Sequence, residues 1–294
     1  MIDALRGRLA LAAVALVLVL QPHAAAAQRV TFPSLDGNTT LVARLDRPDG
    51  EGPHPALVLL HGCSGLQVNG RIFPVYRAWG RLLAAAGYVV LTVDSAGSRG
   101  VGETCTANPA RRTMFTERPK DAYAALQYLQ AQPFVRADRI GAVGWSQGGA
   151  TILLAVRGDS RARPPSLAHD FRAAVAFYPG ACNERFQSRP FFDAAPQTWT
   201  SKVPLLVLQG EADNWTPAPP CIAFLDGAKA RGAPIELKLY PGALHVFDAP
   251  NLSRRELPAY RTERGIVPVI GTDHAARNDA LLRVPEFLRR HLLD

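Results

Sequence analysis

Six apolar runs of strand length alternate with stretches of helical periodicity, and this alternation restricts the fold more than any other feature of the chain. With the turns that leave them, the runs occupy residues 56–62, 87–94, 138–146, 172–180, 204–213 and 235–245. Near-continuous apolar strands separated by helices are typical of a mostly parallel sheet that is buried on both faces. We therefore predict an α/β fold with helices on both faces of a central sheet.

Shorter patterns complete this prediction. Two apolar runs, around Val30 and at 41–45, predict an antiparallel edge and bring the sheet to about eight strands. Helices are predicted at 79–86, 118–132, 151–156, 223–230 and 281–293. Long loops at 95–117, 181–202 and 248–274 each follow a predicted strand, and in open α/β sheets that edge carries the functional site.

The first 27 residues predict a signal peptide. Arg6 and Arg8 precede an unbroken apolar run at 9–20, and small residues follow at 24–27. The run is shorter than the roughly 20 residues that cross a bilayer, so we favour cleavage near Ala27 over a retained membrane anchor. These features predict one domain over 28–294, located in the periplasm or outside the cell.

The charge of the chain argues against a nucleic-acid partner. The formal net charge is +8, and removal of two arginines and one aspartate with the signal peptide leaves +7. The basic residues are mostly arginines scattered through predicted loops, without a basic run or a nucleic-acid-binding module. We predict a solvated basic surface whose field attracts anionic substrates.

The segment GWSQGG places Ser146 at a turn from strand to helix. Gly144 and Gly148 flank the serine at two residues on each side. A nucleophile held above a sheet needs such small neighbours, because the backbone turns sharply there. The pattern predicts Ser146 as a nucleophile; the alternative is a turn that is merely rich in glycine.

A nucleophilic serine requires a base and a group that orients the base. His245 follows the strand and turn IELKLYPGAL and should lie at the same sheet edge as Ser146, whereas the other histidines lack such a position. Asp213 ends the segment LLVLQGEAD and is predicted to orient His245, with Glu211 as the alternative acid. The order Ser146, Asp213, His245 is that of the α/β-hydrolases.

Attack on a carbonyl also needs hydrogen-bond donors for the developing oxyanion, each worth about 3 kcal/mol. We predict the main-chain N–H of Gln147, just after the nucleophile, as one donor. The second is predicted to be the N–H of Cys63 in the segment HGCSG. His61 in that segment is expected to brace the loop, and direct contact with substrate is the alternative.

At these residues the chain resembles the dienelactone hydrolase family of the α/β-hydrolase fold, especially its exported branch. The resemblance covers nearly the whole chain after residue 27 and rests on five segments in order: HGCSG, GYVVLTVDSAGSRG, GWSQGG, LLVLQGEADNWTP and YPGALHVFD. It implies a hydrolase without a cofactor that cleaves esters or lactones through a covalent acyl-enzyme.

The chain also departs from the pattern of that family. Ser146 stands where the best-studied members have cysteine, and Gly62 stands where they have a glutamate that restrains the thiol. Arg99 matches one of two family arginines that bind a substrate carboxylate, but no arginine after HVFD matches the second. Arg99 therefore either binds substrate or forms a structural ion pair, and a broader carboxylesterase is at least as well supported as a dienelactone hydrolase.

Four cysteines allow three disulfide pairings. In the implied fold the strands before Cys63 and Cys105 lie side by side, as do those before Cys182 and Cys221, both placed in loops. We predict bridges between Cys63 and Cys105 and between Cys182 and Cys221, in keeping with an oxidising compartment. No close Cys or His spacing predicts a metal site.

Trp145 and Trp215 flank the predicted serine and acid, where each either lines a substrate pocket or packs in the core. Together these features predict an exported serine hydrolase of small-molecule esters or lactones. A peptidase or polyester hydrolase on the same fold is the nearest alternative, and a non-catalytic binding protein is another. No oligomeric state is predicted.

Overall fold

The computed structural model describes residues 27–106 and 109–294. The predicted signal peptide therefore lies outside the described residues, apart from its last residue, Ala27. Among the described residues, none of the helices combines the length and the apolar character needed to span a bilayer.

Strands and helices alternate through most of the described chain. The strands are β1 (Gln28–Pro33), β2 (Thr40–Asp46), β3 (His54–Leu60), β4 (Gln67–Val68), β5 (Arg71–Ile72), β6 (Val89–Asp94), β7 (Val135–Trp145), β8 (Ala173–Phe177), β9 (Leu205–Gly210), β10 (Ile235–Tyr240), β11 (Arg255–Glu256) and β12 (Val269–Ile270). The helices are α1 (Pro74–Ala85), α2 (Pro109–Gln130), α3 (Gln147–Ala155), α4 (Glu184–Gln187), α5 (Ala218–Ala230) and α6 (His274–Leu292).

Eight strands form one central sheet in the order β1-β2-β6-β3-β7-β8-β9-β10. The pairs β1–β2 and β2–β6 are antiparallel, and all the other pairs in this sheet are parallel. The predicted α/β fold, the strand number and the antiparallel edge are confirmed. The parallel strands direct their carboxyl ends to one edge, where the exit of β7 lies between those of β3 and β8.

The sheet separates two apolar cores, because successive side chains of a strand point to opposite faces. In β3, for example, Val58 packs in the core beneath α2, α3 and α5, whereas Leu57 and Leu59 pack in the core beneath α1 and α6. All seven residues of β3 except His54 are buried. Burial on both faces explains why the central strands appear in the sequence as unbroken apolar runs.

Helix α2 begins earlier than the sequence predicted. It starts at Pro109, not at Arg118, and Pro119 lies inside it. Proline is typical of a first helical turn, because its missing N–H costs nothing there, so the pattern favoured a start at this point. The preceding turns nevertheless continue the helix, and the predicted loop 95–117 is correspondingly shorter.

The other four predicted helix starts, those of α1, α3, α5 and α6, were also placed too late, by four to seven residues. Helix α5 begins at Ala218, so Cys221 lies in its first turn and not in a loop. Helix α6 begins at His274, where the carboxylate of Asp273 accepts the N–H of Ala276 as an N-cap. The predicted loops 181–202 and 248–274 contain the short elements α4 and β11–β12.

Candidate active site

Ser146 occupies a strained turn between β7 and α3. Its φ and ψ are 53° and −111°, a left-handed region that residues other than glycine rarely adopt. A Cβ at Gly148 would collide with the carbonyl oxygen of Leu60, and one at Gly144 would collide with the carbonyl oxygen of Gly148. The two glycines therefore permit the close approach of backbones that holds Ser146, half-buried, at the sheet edge.

The structure brings Ser146, His245 and Asp213 together from three strand exits. Nε2 of His245 lies 3.0 Å from Oγ of Ser146, and Nδ1 lies 2.6 Å from Oδ2 of Asp213. Because a carboxylate only accepts hydrogen bonds, Nδ1 donates to Asp213 and Nε2 is left to accept the serine proton. His245 and Asp213 are 1% and 3% exposed, so this contact is shielded from water.

The loop after β9 fixes the carboxylate of Asp213. The main-chain N–H groups of Trp215 and Thr216 donate to Oδ1, and the hydroxyl of Thr216 donates to Oδ2. Glu211, the alternative acid, is exposed. The sequence had no signal for the role of Thr216, because its hydroxyl acts through the conformation of the loop.

The two segments that carry the predicted oxyanion donors lie beside Ser146. Gln147 is the first residue of α3, and the first N–H groups of a helix have no acceptor within the helix. The segment before Cys63 is close as well, since a Cβ at Gly62 would lie 3.5 Å from Cβ of Ser146. Among the hydrogen bonds of the described residues, neither Cys63 nor Gln147 has its N–H bound to another main-chain group. The predicted oxyanion donors therefore lie on the two segments that enclose the serine.

The side chain of Arg118 connects those two segments by hydrogen bonds. Its guanidinium is fully buried and donates to the carbonyl oxygen of His61 and to Oε1 of Gln147, at 2.5 and 2.9 Å. Burial lowers the pKa of Arg118 to about 10, which leaves it charged at neutral pH. Thr104 repeats the connection, because its hydroxyl donates to Oε1 of Gln147 and its N–H donates to the carbonyl of Cys63.

His61 is 1% exposed and lies behind the serine. Its Nδ1 donates to the carbonyl of Gly62, and its Nε2 accepts the N–H of Ala96. Burial, reinforced by the charge of Arg118, holds the pKa of His61 well below its usual range. The ring is therefore neutral and engaged by the main chain of its own loop and of the next.

A buried carboxylate, Asp248, joins the histidine loop to the sheet. Its Oδ2 accepts from the indole N–H groups of Trp79 and Trp145, and its Oδ1 accepts from the hydroxyl of Tyr178. Burial raises the pKa of Asp248, and the three hydrogen bonds, which act to lower this pKa, offset the effect of burial only in part. The ring of Tyr178 in turn lies 4.5 Å from that of His245, so this cluster packs directly behind the base.

The remaining predicted residues have different surroundings. Trp215 lies 5.0 Å from the ring of His245 and stacks on Tyr260, whereas Trp145 is 1% exposed and stacks on Phe177. Arg99 is not brought to the serine. Its guanidinium forms ion pairs with Asp36 and Asp121, the arrangement that stood as the alternative to substrate binding.

Both predicted disulfides are present. Cys63 is bonded to Cys105, and Cys182 is bonded to Cys221. The first bridge holds the segment that carries the predicted oxyanion donor, and the second holds the loop after β8 against α5. Each closes a chain segment of about 40 residues, for which the chain-entropy model gives about 4 kcal/mol of stabilisation.

Two cavities meet at Ser146. The larger has a volume of about 1570 Å³ and is bounded by the start of α2, the loop after β8, α5 and the segment 260–266. The smaller has a volume of about 50 Å³ and lies between Ser146, His245 and α1. Among the described residues, no group of three or more His, Cys, Asp or Glu side chains could hold a metal ion.

Sequence reasoning missed Arg118 and Asp248, although signals for both were present. Arg118 lies on the same helical face as Ala122, Ala125 and Leu129, which the pattern assigned to the core, and a buried arginine requires polar partners. Asp248 follows His245 by three residues in the quoted segment YPGALHVFD. Its partners could not be identified, because they lie 70 to 169 residues away.

Comparison with known proteins adds an independent line of evidence. The model of the dienelactone hydrolase family matches residues 41–292. A probable 2-oxo-3-(5-oxofuran-2-ylidene)propanoate lactonase from Bradyrhizobium is 29% identical over 215 residues, which cover 70% of this chain and 78% of that protein. Dipeptidyl-peptidase 5 from Porphyromonas gingivalis is 26% identical over 67% of this chain, which spans only 31% of the peptidase.

The fold also has counterparts among solved structures. A putative dienelactone hydrolase from Klebsiella pneumoniae superposes with a TM-score of 0.66 at 19% identity. The match covers 90% of this chain and 98% of the other. At this identity the likeness concerns the fold alone.

Proposed function

The chain belongs to the dienelactone hydrolase family, and from this premise we propose that it is an exported serine hydrolase of carboxylic esters or lactones. The observation that carries the proposal is the pair of contacts of His245, at 3.0 Å to the hydroxyl of Ser146 and 2.6 Å to the carboxylate of Asp213. The lactonase among its relatives supports the same class of reaction.

In the proposed mechanism His245 accepts the proton of Ser146 as Oγ attacks the substrate carbonyl. The N–H groups of Cys63 and Gln147 stabilise the oxyanion, and Asp213 stabilises the imidazolium. His245 then gives its proton to the leaving oxygen, and an acyl-enzyme remains. A water molecule, deprotonated by His245, attacks this ester and releases the acid.

The volume of the larger cavity supports a second candidate. Small-molecule sites commonly measure about 300 to 1,000 Å³, whereas this cavity measures about 1570 Å³ and lies open beside the serine. A polyester or a peptide would fill more of this cavity than a small ester does, and a peptidase is among the relatives. Esters and lactones remain the first candidate, because this chain spans 78% of the related lactonase but only 31% of the related peptidase.

Active-site labelling tests the proposal. A fluorescent alkyl phosphonate should form a covalent adduct with the folded protein at Ser146, and Ser146→Ala should abolish both the adduct and the hydrolysis of a panel of esters whose alcohols range from methanol to p-nitrophenol. A peptide p-nitroanilide measured alongside separates ester from amide hydrolysis. Folded protein that neither reacts with the phosphonate nor hydrolyses any of these substrates would favour the binding protein.

Export is part of the proposal and has its own test. Two disulfides are typical of proteins that fold in oxidising compartments, and the predicted signal peptide precedes them. Full-length chain expressed in a Gram-negative host should appear in the periplasm or the medium, shortened by about 27 residues. A chain that begins at Gln28 should stay in the cytoplasm; full-length protein found there uncleaved would contradict export.

A further inference from the structure

The two cavities at Ser146 differ greatly in size and in their relation to His245. Ser146, Cys63 and Trp215 line both of them, so the reacting carbonyl lies where they meet. His245 lines the small cavity and is absent from the walls of the large one. Of these two cavities, the small one is therefore the one that gives access to the base.

The chemistry of the reaction assigns a substrate part to each side. His245 must pass its proton to the oxygen that leaves, so this oxygen lies within hydrogen-bond reach of Nε2. The group attached to that oxygen then enters the cavity that His245 lines. The acyl group, bonded to the other side of the carbonyl carbon, extends into the large cavity.

The small cavity has room for few atoms. A water molecule needs at least about 10 to 15 Å³ of such volume, so about 50 Å³ suffices for a one- or two-carbon group beside the leaving oxygen. After that alcohol departs, the same space suits the water that cleaves the acyl-enzyme. A butyl or benzyl group would have to displace the walls.

Those walls are held in place by hydrogen bonds. Trp145 and Tyr178 are bonded to the buried carboxylate of Asp248, and the hydroxyl of Tyr76 accepts the N–H of Gly62 at 2.7 Å. All three aromatic residues are buried. Displacing any of these three side chains to admit a larger group would break at least one of these bonds without replacing it.

The large cavity suits a bulky and aromatic acyl group. Phe115, Phe186, Phe191 and Tyr260 contribute to its lining, and Trp215 stands at its junction with the small cavity. Aromatic rings pack favourably on such side chains in offset or edge-to-face geometry.

Given the proposed function, we propose that this enzyme hydrolyses esters of one- or two-carbon alcohols with bulky aromatic acids. In the first half-reaction the bond from Oγ of Ser146 to the acyl carbon forms, the bond to the alcohol oxygen breaks, and the serine proton reaches that oxygen through His245. In the second, water gives a proton to His245, its oxygen bonds to the acyl carbon, the bond from that carbon to Oγ breaks, and Oγ recovers the proton from His245. The products are methanol or ethanol and the free acid.

Two isomeric esters test this assignment directly. Methyl 2-naphthylacetate and 2-naphthylmethyl acetate contain the same atoms and are both unactivated, but they exchange the bulky and the small side of the ester. We expect kcat/KM for the methyl ester to exceed that for the acetate by at least tenfold. Along the methyl, ethyl and butyl 2-naphthylacetates, kcat/KM should fall at least tenfold between ethyl and butyl.

A pair of variants locates the selectivity. Val75→Ala enlarges the small cavity from α1 without touching the triad and should raise the butyl-to-methyl ratio at least fivefold. Ile266→Ala, in the wall of the large cavity, should leave that ratio unchanged. Because a ratio does not depend on the amount of folded enzyme, a loss of stability in either variant does not obscure the result.

The outcomes separate this inference from the proposed function. Enzyme that reacts with the phosphonate but prefers 2-naphthylmethyl acetate, accepts the butyl ester as readily as the methyl ester, or hydrolyses neither isomer would overturn the leaving-group assignment alone. Enzyme that is folded and does not react with the phosphonate at Ser146 would overturn the proposed function itself.

Discussion

At the scale of single residues, the site depends on which carboxylate holds His245. Asp213 is buried and accepts two main-chain N–H groups in addition to the imidazole, whereas Glu211, two residues earlier, is exposed. The conformation of the loop after β9 therefore brings Asp213, and not Glu211, to His245. The sequence alone favoured Asp213 but could not show where either carboxylate lies.

Asp213→Asn should reduce kcat by roughly 10³- to 10⁴-fold, because the amide no longer selects the tautomer in which Nδ1 carries the proton. KM should change little, since Asp213 does not contact the substrate. Glu211→Gln is the matched control and should keep kcat within twofold of the wild type. Steady-state kinetics on methyl 2-naphthylacetate distinguishes them, and equal losses in both variants would contradict the assignment of the acid.

His61 makes stability depend on pH. Its pKa is lowered in the folded protein, so below about pH 6.5 the unfolded chain binds a proton that the folded chain does not. The free energy of unfolding should therefore fall as the pH is lowered from 6.5 to 5, by up to about 1.4 kcal/mol per pH unit from this group.

Urea denaturation at several pH values measures this effect. His61→Gln should show a shallower slope between pH 6.5 and 5 than the wild type, while His169→Gln, at an exposed position, should keep the wild-type slope. Some slope should remain in His61→Gln, because burial lowers the pKa of His291 as well. Parallel curves for wild type and His61→Gln would refute the role given to His61.

At the scale of elements, the turn between β7 and α3 depends on contact between backbones. Gly148→Ala should lower both activity and stability, because its Cβ would collide with the carbonyl oxygen of Leu60 in the neighbouring strand. Overpacking of this kind costs about 1 to 3 kcal/mol or more.

The matched exchange Gly227→Ala lies within α5, where the nearest atom to a new Cβ, outside the backbone of the helix, is the side-chain Nη1 of Arg231, at 3.4 Å. It should leave the rate of phosphonate labelling at Ser146 unchanged and stabilise by up to about 1 kcal/mol through helix propensity. Thermal unfolding and the rate of phosphonate labelling measure both variants, and full activity in Gly148→Ala would contradict the account of the turn.

The elements differ in how far the sequence predicted them. The central strands were predictable, because burial on both faces makes each one an unbroken apolar run in the sequence. The edge that carries the site was predictable as well, because the candidate site residues follow the carboxyl ends of these strands. The start of α2 was not predictable, since Pro119 lies inside the helix although proline is typical of a first helical turn. Strands of two residues, such as β11 and β12, carry no detectable period and depend on partners elsewhere in the chain.

The convergence of Ser146, Asp213 and His245 was predictable for the same reason, because each of the three residues is marked by a local pattern. The supports of the site were not. Arg118 and Asp248 act through contacts with chain segments that are distant in sequence, and no local pattern records which partner a buried charge will find.

At the scale of the whole molecule, charge surrounds the site unevenly. Six arginines but only two glutamates line the large cavity: Arg111, Arg112, Arg185, Arg231, Arg261 and Arg264, against Glu184 and Glu263. The full chain carries a formal net charge of +8. The field over the cavity therefore attracts anions, and salt at physiological concentration screens it beyond about 8 Å.

An anionic ester should accordingly react faster at low salt. We expect kcat/KM for the monomethyl ester of naphthalene-2,6-dicarboxylic acid to fall severalfold between 20 and 500 mM NaCl, while that for neutral methyl 2-naphthoate stays constant. Arg264→Glu should reduce the salt dependence, and Arg29→Glu, on exposed β1 away from the cavity, should not. Equal salt dependence for the two esters would show that the arginines do not steer the substrate.

The carboxylate of Asp248 also has a consequence for when the enzyme becomes active. Its hydrogen bonds reach back 169 residues to Trp79 and 103 residues to Trp145, so the wall behind His245 joins early and late parts of the chain. A chain that is still emerging in the compartment to which it is exported cannot complete the wall before this aspartate arrives. Hydrolytic activity should thus arise only once nearly the whole chain has emerged, and proteolytic fragments that stop short of residue 248 should be inert.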